Sequence, residues 1–175
     1  MRHLKLFAAL VISVLVVFFS VSISGLQKTN SLYVRVLEVN DGDTVTILVD
    51  RKKESVRLIG IDAPELGQRP WGKKAKRHLE EILARSGRMV ILEFDLEKID
   101  KYDRLLGYLW TTDKRLINLE MLKDGYAMLF TLPPNIKYAD LLRQGQRIAR
   151  EKRLGLWGDE GLKEMPGKYR REHPR

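Results

Sequence analysis

LYVRVLEVNDGDTVTILVDRKKESVRLIGIDAPE occupies residues 32–65, and its reading decides the fold. Residues 32–39 alternate apolar and polar side chains, the period of a strand with one buried face. Asn40-Asp-Gly42 is a turn signal, and residues 43–49 repeat the strand pattern. A polar turn at residues 50–53 leads to a third strand, residues 54–61, which the proline at Pro64 ends. Three short β-rich runs joined by polar turns thus open the domain.

Working outward, residues 71–84 read as a helix with Ala75, Leu79, Ile82 and Leu83 on one face. Residues 88–94 and 105–111 read as the fourth and fifth strands. Residues 117–123 form a short helix closed by Asp124-Gly125, with glycine in its usual place after a helix, and residues 138–153 form the last helix. Five strands with about three helices predict an α+β fold built on an OB-type Greek-key β-barrel, an architecture that often binds nucleic acids or oligosaccharides. An α+β sandwich would give a similar pattern. Residues 159–175 are basic and poor in apolar side chains, and they read as a disordered tail.

Before this domain, residues 6–23 form an uncharged apolar run behind Arg2 and Lys5. Residues 1–26 are expected to be a signal peptide or an uncleaved membrane anchor, and both place the domain of residues 31–158 outside the cytoplasm. The chain of 175 residues carries a formal charge of +9. Without its first 26 residues it keeps +7, which points to a polyanion such as nucleic acid or to an anionic membrane surface. No cysteine is present, which excludes a disulfide scaffold, a thiolate nucleophile and a Cys-ligated metal. Three histidines, two of them near the ends at His3 and His173, make a His-based site improbable.

Chemistry without His or Cys must come from carboxylates, hard cations and arginines. Three clusters supply them: Asp41-Gly-Asp-Thr44, Arg57-Leu-Ile-Gly-Ile-Asp-Ala-Pro-Glu65 and Asp100-Lys-Tyr-Asp-Arg104. A carboxylate can accept a proton from an attacking water, oxygen ligands can hold a hard cation, and a guanidinium can meet phosphoryl oxygens bidentately. Each cluster alone could be a charged turn. Strict alternation would also put Arg57 and Asp62 on opposite sheet faces, so they share a site only if the strand bends or ends near Gly60-Ile61.

Taken together and in order, the clusters make residues 34–157 resemble the staphylococcal nuclease (thermonuclease) family, with Asn118-Leu-Glu-Met-Leu-Lys-Asp-Gly-Tyr-Ala127 and Gly155-Leu-Trp157 extending the match. The resemblance implies calcium-dependent endonucleolytic cleavage of DNA and RNA, single- or double-stranded, with little sequence preference. It implies that Asp43 and Asp62 ligate Ca²⁺, together with the backbone carbonyl of Ala63. By the same resemblance Glu65 is the general base, and Arg57 and Arg104 hold the scissile phosphate. Lys101 and Tyr102 fall at positions that contact the terminal phosphate or the base, and Phe130 stands near where the family carries a stacking tyrosine. Asp103 replaces a glycine that is common before the second arginine. No protein partner is read from the sequence, and a monomer is expected, with membrane attachment through residues 6–23 if the leader is retained.

Two readings of other classes compete. One is a catalytically inactive OB module that binds nucleic acid or protein, tethered to the cell envelope. The other is an envelope protein whose basic face binds anionic lipid. The presence of Asp43, Arg57, Asp62, Glu65 and Arg104 together favours the enzyme. Further basic residues, Lys73, Lys74, Lys76 and Arg77 on the first helix and Arg143, Arg147 and Arg150 on the last, could serve as a nucleic-acid track or as a solvated face.

Overall fold

The computed structural model describes residues 30–174. The leader and the apolar run of residues 6–23 lie outside them. From Ser31 onward the described residues form one compact unit. Its strands are β1 (Ser31–Val39), β2 (Thr44–Val49), β3 (Lys52–Leu58), β4 (Gly60–Asp62), β5 (Met89–Glu93), β6 (Leu105–Thr111) and β7 (Met128–Phe130). Its helices are α1 (Trp71–Arg85), α2 (Ile117–Lys123), α3 (Ala139–Glu151) and α4 (Pro166–Glu172). Among the described residues no helix is long and apolar enough to cross a membrane.

The five predicted strands close a barrel in the order β1-β2-β3-β6-β5. All pairings are antiparallel except β3 with β6, which run parallel and close the barrel. Strand alternation delivers the core: Val34, Val36, Val45, Ile47, Val56, Leu58, Val90 and Leu92 are buried, and the residues between them along each strand are more exposed. Helix α1 caps this interior with Ala75, Leu79, Ile82 and Leu83, the face that its spacing predicts.

The structure departs from the sequence reading in two places. The predicted third strand is not continuous. It breaks at Ile59, and Gly60–Asp62 leaves the barrel to pair with Met128–Phe130 in a separate two-stranded sheet. Gly60 has φ 80, and a side chain there would run into Leu142 of α3, so only glycine fits this corner. The buried Asn118 of α2 fastens the corner. Its side-chain amide donates to the Ile59 carbonyl at 2.8 Å, and its oxygen accepts the Leu109 N–H at 3.0 Å.

The second departure is the C-terminal stretch. It reads as a disordered tail, yet residues 166–172 form α4, a fourth helix where three were expected. Polar composition hides it because the helix is held by what it docks against. Trp71 donates its indole N–H to the Glu160 carbonyl at 3.1 Å, and Gln68 donates to the Glu164 carbonyl at 2.8 Å. Pro166 is buried.

Candidate active site

The Ile59–Gly60 corner answers the question of faces. Once β3 ends and the chain turns, Asp62 swings back beside Arg57. One guanidinium nitrogen of Arg57, Nη2, lies 3.1 Å from Asp62 Oδ1 and 3.2 Å from Asp43 Oδ2. The other, Nη1, donates to the carbonyls of Leu58 at 3.0 Å and Ile61 at 2.8 Å. Arg57 thus holds both the corner backbone and two carboxylates, Asp62 from the corner and Asp43 from the turn before β2.

Asp43 stands at the mouth of β2, in the turn after β1. Its Oδ2 accepts the Ala63 N–H at 2.7 Å and its Oδ1 accepts the Thr44 hydroxyl at 3.0 Å. Its own N–H donates to Asp41 Oδ1 at 3.0 Å, so the Asp-Gly-Asp spacing serves the turn as well as the site. Burial pushes the Asp43 carboxyl up to about 6, with the charge of Arg57 pulling it down and that of Asp41 adding to the push. Asp62 is equally buried, at 6% exposure.

Glu65 lies just beyond, on the loop between β4 and α1. Gln68 accepts the Glu65 N–H at 3.0 Å and fixes this loop. The Glu65 carboxylate accepts Arg170 Nη1 at 2.8 Å. The same guanidinium donates to both oxygens of Asp62, each at 3.0 Å. Hydrogen bonds to Asp62 and then Glu65 raise Arg170 above the usual guanidinium range, against the cost of its partial burial.

The third cluster is built differently. Arg104 precedes β6, whose Leu106 is the parallel partner of Arg57, so the two arginines emerge on neighbouring strands. Arg104 is tied to its own loop: its Nε lies 2.8 Å and its Nη2 2.7 Å from Asp100 Oδ2. Desolvation raises Asp100, but hydrogen bonds from the Arg104 side chain and from the N–H groups of Arg104 and Tyr102 outweigh it and hold the carboxyl below its ordinary value. Asp103, standing where the family favours glycine, adopts φ 61, a left-handed conformation that aspartate tolerates better than most side chains. Tyr102 is exposed, with Lys101 Nζ 5.0 Å and Arg104 5.5 Å from its ring centre.

Phe130 is half exposed and lines a cavity of 310 Å³ that it shares with Asp62, Arg150, Met165, Pro166 and Arg170. The structure thus brings Asp43, Arg57, Asp62, Ala63 and Glu65 to one end of the barrel. Phe130 lies beside them, and Arg104, Lys101 and Tyr102 stand on the adjoining loop. Sequence reasoning missed Asn118 and Gln68 as positioning residues, although the first lay within a quoted motif. It also missed Arg170, for which no local signal existed.

A family model described as Staphylococcal nuclease homologue matches residues 55–159. The chain belongs to this family. It is 38% identical over 154 residues to a thermonuclease of Staphylococcus intermedius, with 82% of this chain and 90% of that protein covered. It is 33% identical to a thermonuclease of Staphylococcus hyicus, covering 78% of this chain and 82% of the other. A micrococcal nuclease of Shigella flexneri is also 33% identical, with 78% of this chain and 79% of that protein covered.

Proposed function

We propose that the protein is a calcium-dependent nuclease that hydrolyses DNA and RNA, single- or double-stranded, with little sequence preference. The observation that carries the reading is the convergence of Asp43 and Asp62 on one nitrogen of Arg57, in a chain whose relatives are named nucleases. The donors fit a hard cation, since the converging acidic side chains are carboxylates with no sulfur or imidazole among them. No group of three or more His, Asp or Glu side chains converges among the described residues, so two carboxylates would need the Ala63 carbonyl and water to complete a shell. Ca²⁺ held by Asp43, Asp62 and that carbonyl would supply a fixed positive charge against the phosphate.

The chain's own residues do the rest. Glu65 accepts the proton of the attacking water, the task of a carboxylate where no histidine is at hand. Arg57 meets the phosphoryl oxygens and stabilises the charge that develops on them. Both terminal nitrogens of Arg57 are held by protein acceptors, Nη1 by the Leu58 and Ile61 carbonyls and Nη2 by Asp43 and Asp62, so it reaches a phosphate by exchanging some of these partners for phosphoryl oxygens. Arg104 adds a second guanidinium, held in readiness by Asp100. Lys101, Tyr102 and Phe130 offer charge and aromatic faces to the flanking nucleotide.

We propose further that the protein acts as a monomer outside the cytoplasm. The support for this location is the uncharged run of residues 6–23 behind Arg2 and Lys5. Digestion of plasmid, single-stranded DNA and RNA by the purified protein, with Ca²⁺ or with chelator, tests the nuclease reading. The expected outcome is that chelator abolishes cleavage and added Ca²⁺ restores it. Full activity in chelator would remove Asp43 and Asp62 from a metal site. Binding without cleavage of any substrate would favour the inactive module.

A further inference from the structure

We propose that α4 is an autoinhibitory plug: while the helix is docked Arg170 occupies the acids of the site, and the helix must leave before they can take up calcium and act on a phosphodiester. This rests on the nuclease reading and concerns the regulation of the same site.

The geometry is that of a stand-in cation. The fork of Arg170 reaches both oxygens of Asp62 and one of Glu65, at 2.8 to 3.0 Å. Asp62 Oδ1 also receives Arg57, so neither oxygen of this carboxylate is left without a guanidinium partner. Glu65 Oε1 is taken up by Arg170 Nη1 at 2.8 Å, so a water approaching that oxygen must displace the guanidinium. The metal and the base are therefore disabled by one side chain.

The attachment is specific but detachable. Helix α4 has only seven residues, too few to hold its shape alone in water. Tyr169 rests its hydroxyl where a side chain on Gly67 would stand, two residues from Glu65. Gln68 fixes the Glu65 backbone with its oxygen and the Glu164 carbonyl with its amide, so one side chain links the loop of the base to the root of the plug. Met165, Pro166 and Arg170 form one wall of the 310 Å³ cavity beside Asp62, and departure of the helix would open that wall. The Arg170 side chain is 43% exposed, unlike the 14% of Arg57, so water can reach its ion pairs.

Calcium titration of the full-length protein by calorimetry, without nucleic acid, tests this. A protein whose competent state is populated about one part in ten binds about tenfold more weakly than its intrinsic affinity. Arg170→Gln, which removes the cation, and Tyr169→Ala, which keeps it but loosens the helix, should each tighten calcium binding about tenfold on that basis. Arg171→Gln removes an equal charge from the exposed side of the helix and should leave the affinity within about twofold, a small screened effect. Because the chain has no cysteine, Lys168→Cys also gives a unique attachment point for a nitroxide. Its spectrum should sharpen when calcium is added. Wild-type calcium affinity in Arg170→Gln, or a label equally immobile with and without bound calcium, would overturn the plug and leave the nuclease reading intact. Loss of cleavage in Arg170→Gln would also overturn it, by making Arg170 a phosphate clamp. Absence of calcium binding in every variant would overturn the metal reading and the plug with it.

Discussion

Asp62 is held from two sides by two arginines, and the two sides could hardly differ more. Arg57 comes from the barrel, five residues away, only 14% exposed and bonded to two backbone carbonyls of the corner that carries Asp62. Arg170 comes from the last helix, 108 residues away, and is half exposed. The first contact belongs to the architecture, because losing it would strand the buried Asp43 without its guanidinium partner and free the corner carbonyls. The second can be lost without stranding Asp43 or Asp62. Equal distances therefore conceal unequal roles, and burial together with the origin of each side chain tells them apart.

Glu65→Gln carries the largest expected effect. It removes the proton acceptor on the plug side while sparing the Arg57 side, and kcat should fall by about 10²–10⁴-fold. Single-turnover cleavage of a short oligonucleotide, with the fold checked by circular dichroism, measures it. A well-folded variant with the wild-type rate would leave Glu65 as no more than a docking point for Arg170.

Arg57→Lys comes next. A point charge cannot span two carboxylates and two carbonyls, so the rate should drop by about 10²–10³-fold, the cost of losing one oriented donor. Urea unfolding should also show a loss of about 1–3 kcal/mol from the buried acceptors left without partners. A rate loss with no stability loss would mean that the barrel side is as dispensable to the fold as the plug side.

Asp43 gives a pH signature confined to the barrel side. Its folded value of about 6 lies above the ordinary value of 3.8, so the folded state binds a proton more tightly than the unfolded one. Its contribution to metal-free stability is therefore complete below about pH 4 and is lost as pH rises through 6. In chelator, the melting temperature of wild type should decline across that window more steeply than that of Asp43→Asn. Parallel curves would show that Arg57 already keeps Asp43 ionised.

The smallest effect belongs to the plug. Arg170→Gln should change metal-free stability by at most about 1 kcal/mol, because partly exposed ion pairs contribute little. A larger loss in urea unfolding would make α4 part of the architecture and erase the contrast with Arg57.

Most of the barrel was legible because β-branched alternation reports directly on one buried face, as in Val34, Val36, Val45 and Ile47. The face of α1 was legible for the same reason at helical spacing. The break after Leu58 was not, since a run of strand-forming residues continues through Ile59-Gly-Ile61 and the corner is decided by Leu142 and Asn118 from distant helices. Of the site, the acids and Arg57 could be named from clusters in sequence. Their meeting depended on that same corner. Helix α4 was illegible because its apolar contacts are few and its stability comes from docking, so composition showed only a charged tail.

The parallel pairing of β3 with β6 has a consequence for how the molecule acquires its activity. Val56 must find Leu105 across the chain that holds β4, α1 and β5, a non-local closure that is entropically slow compared with the hairpins β1-β2 and β2-β3. Arg57 and Arg104 become neighbours only at that step. During refolding, strand content should therefore return before cleavage does, and a chain that leaves its ribosome unfinished would be chemically silent until the seam of the barrel is sewn.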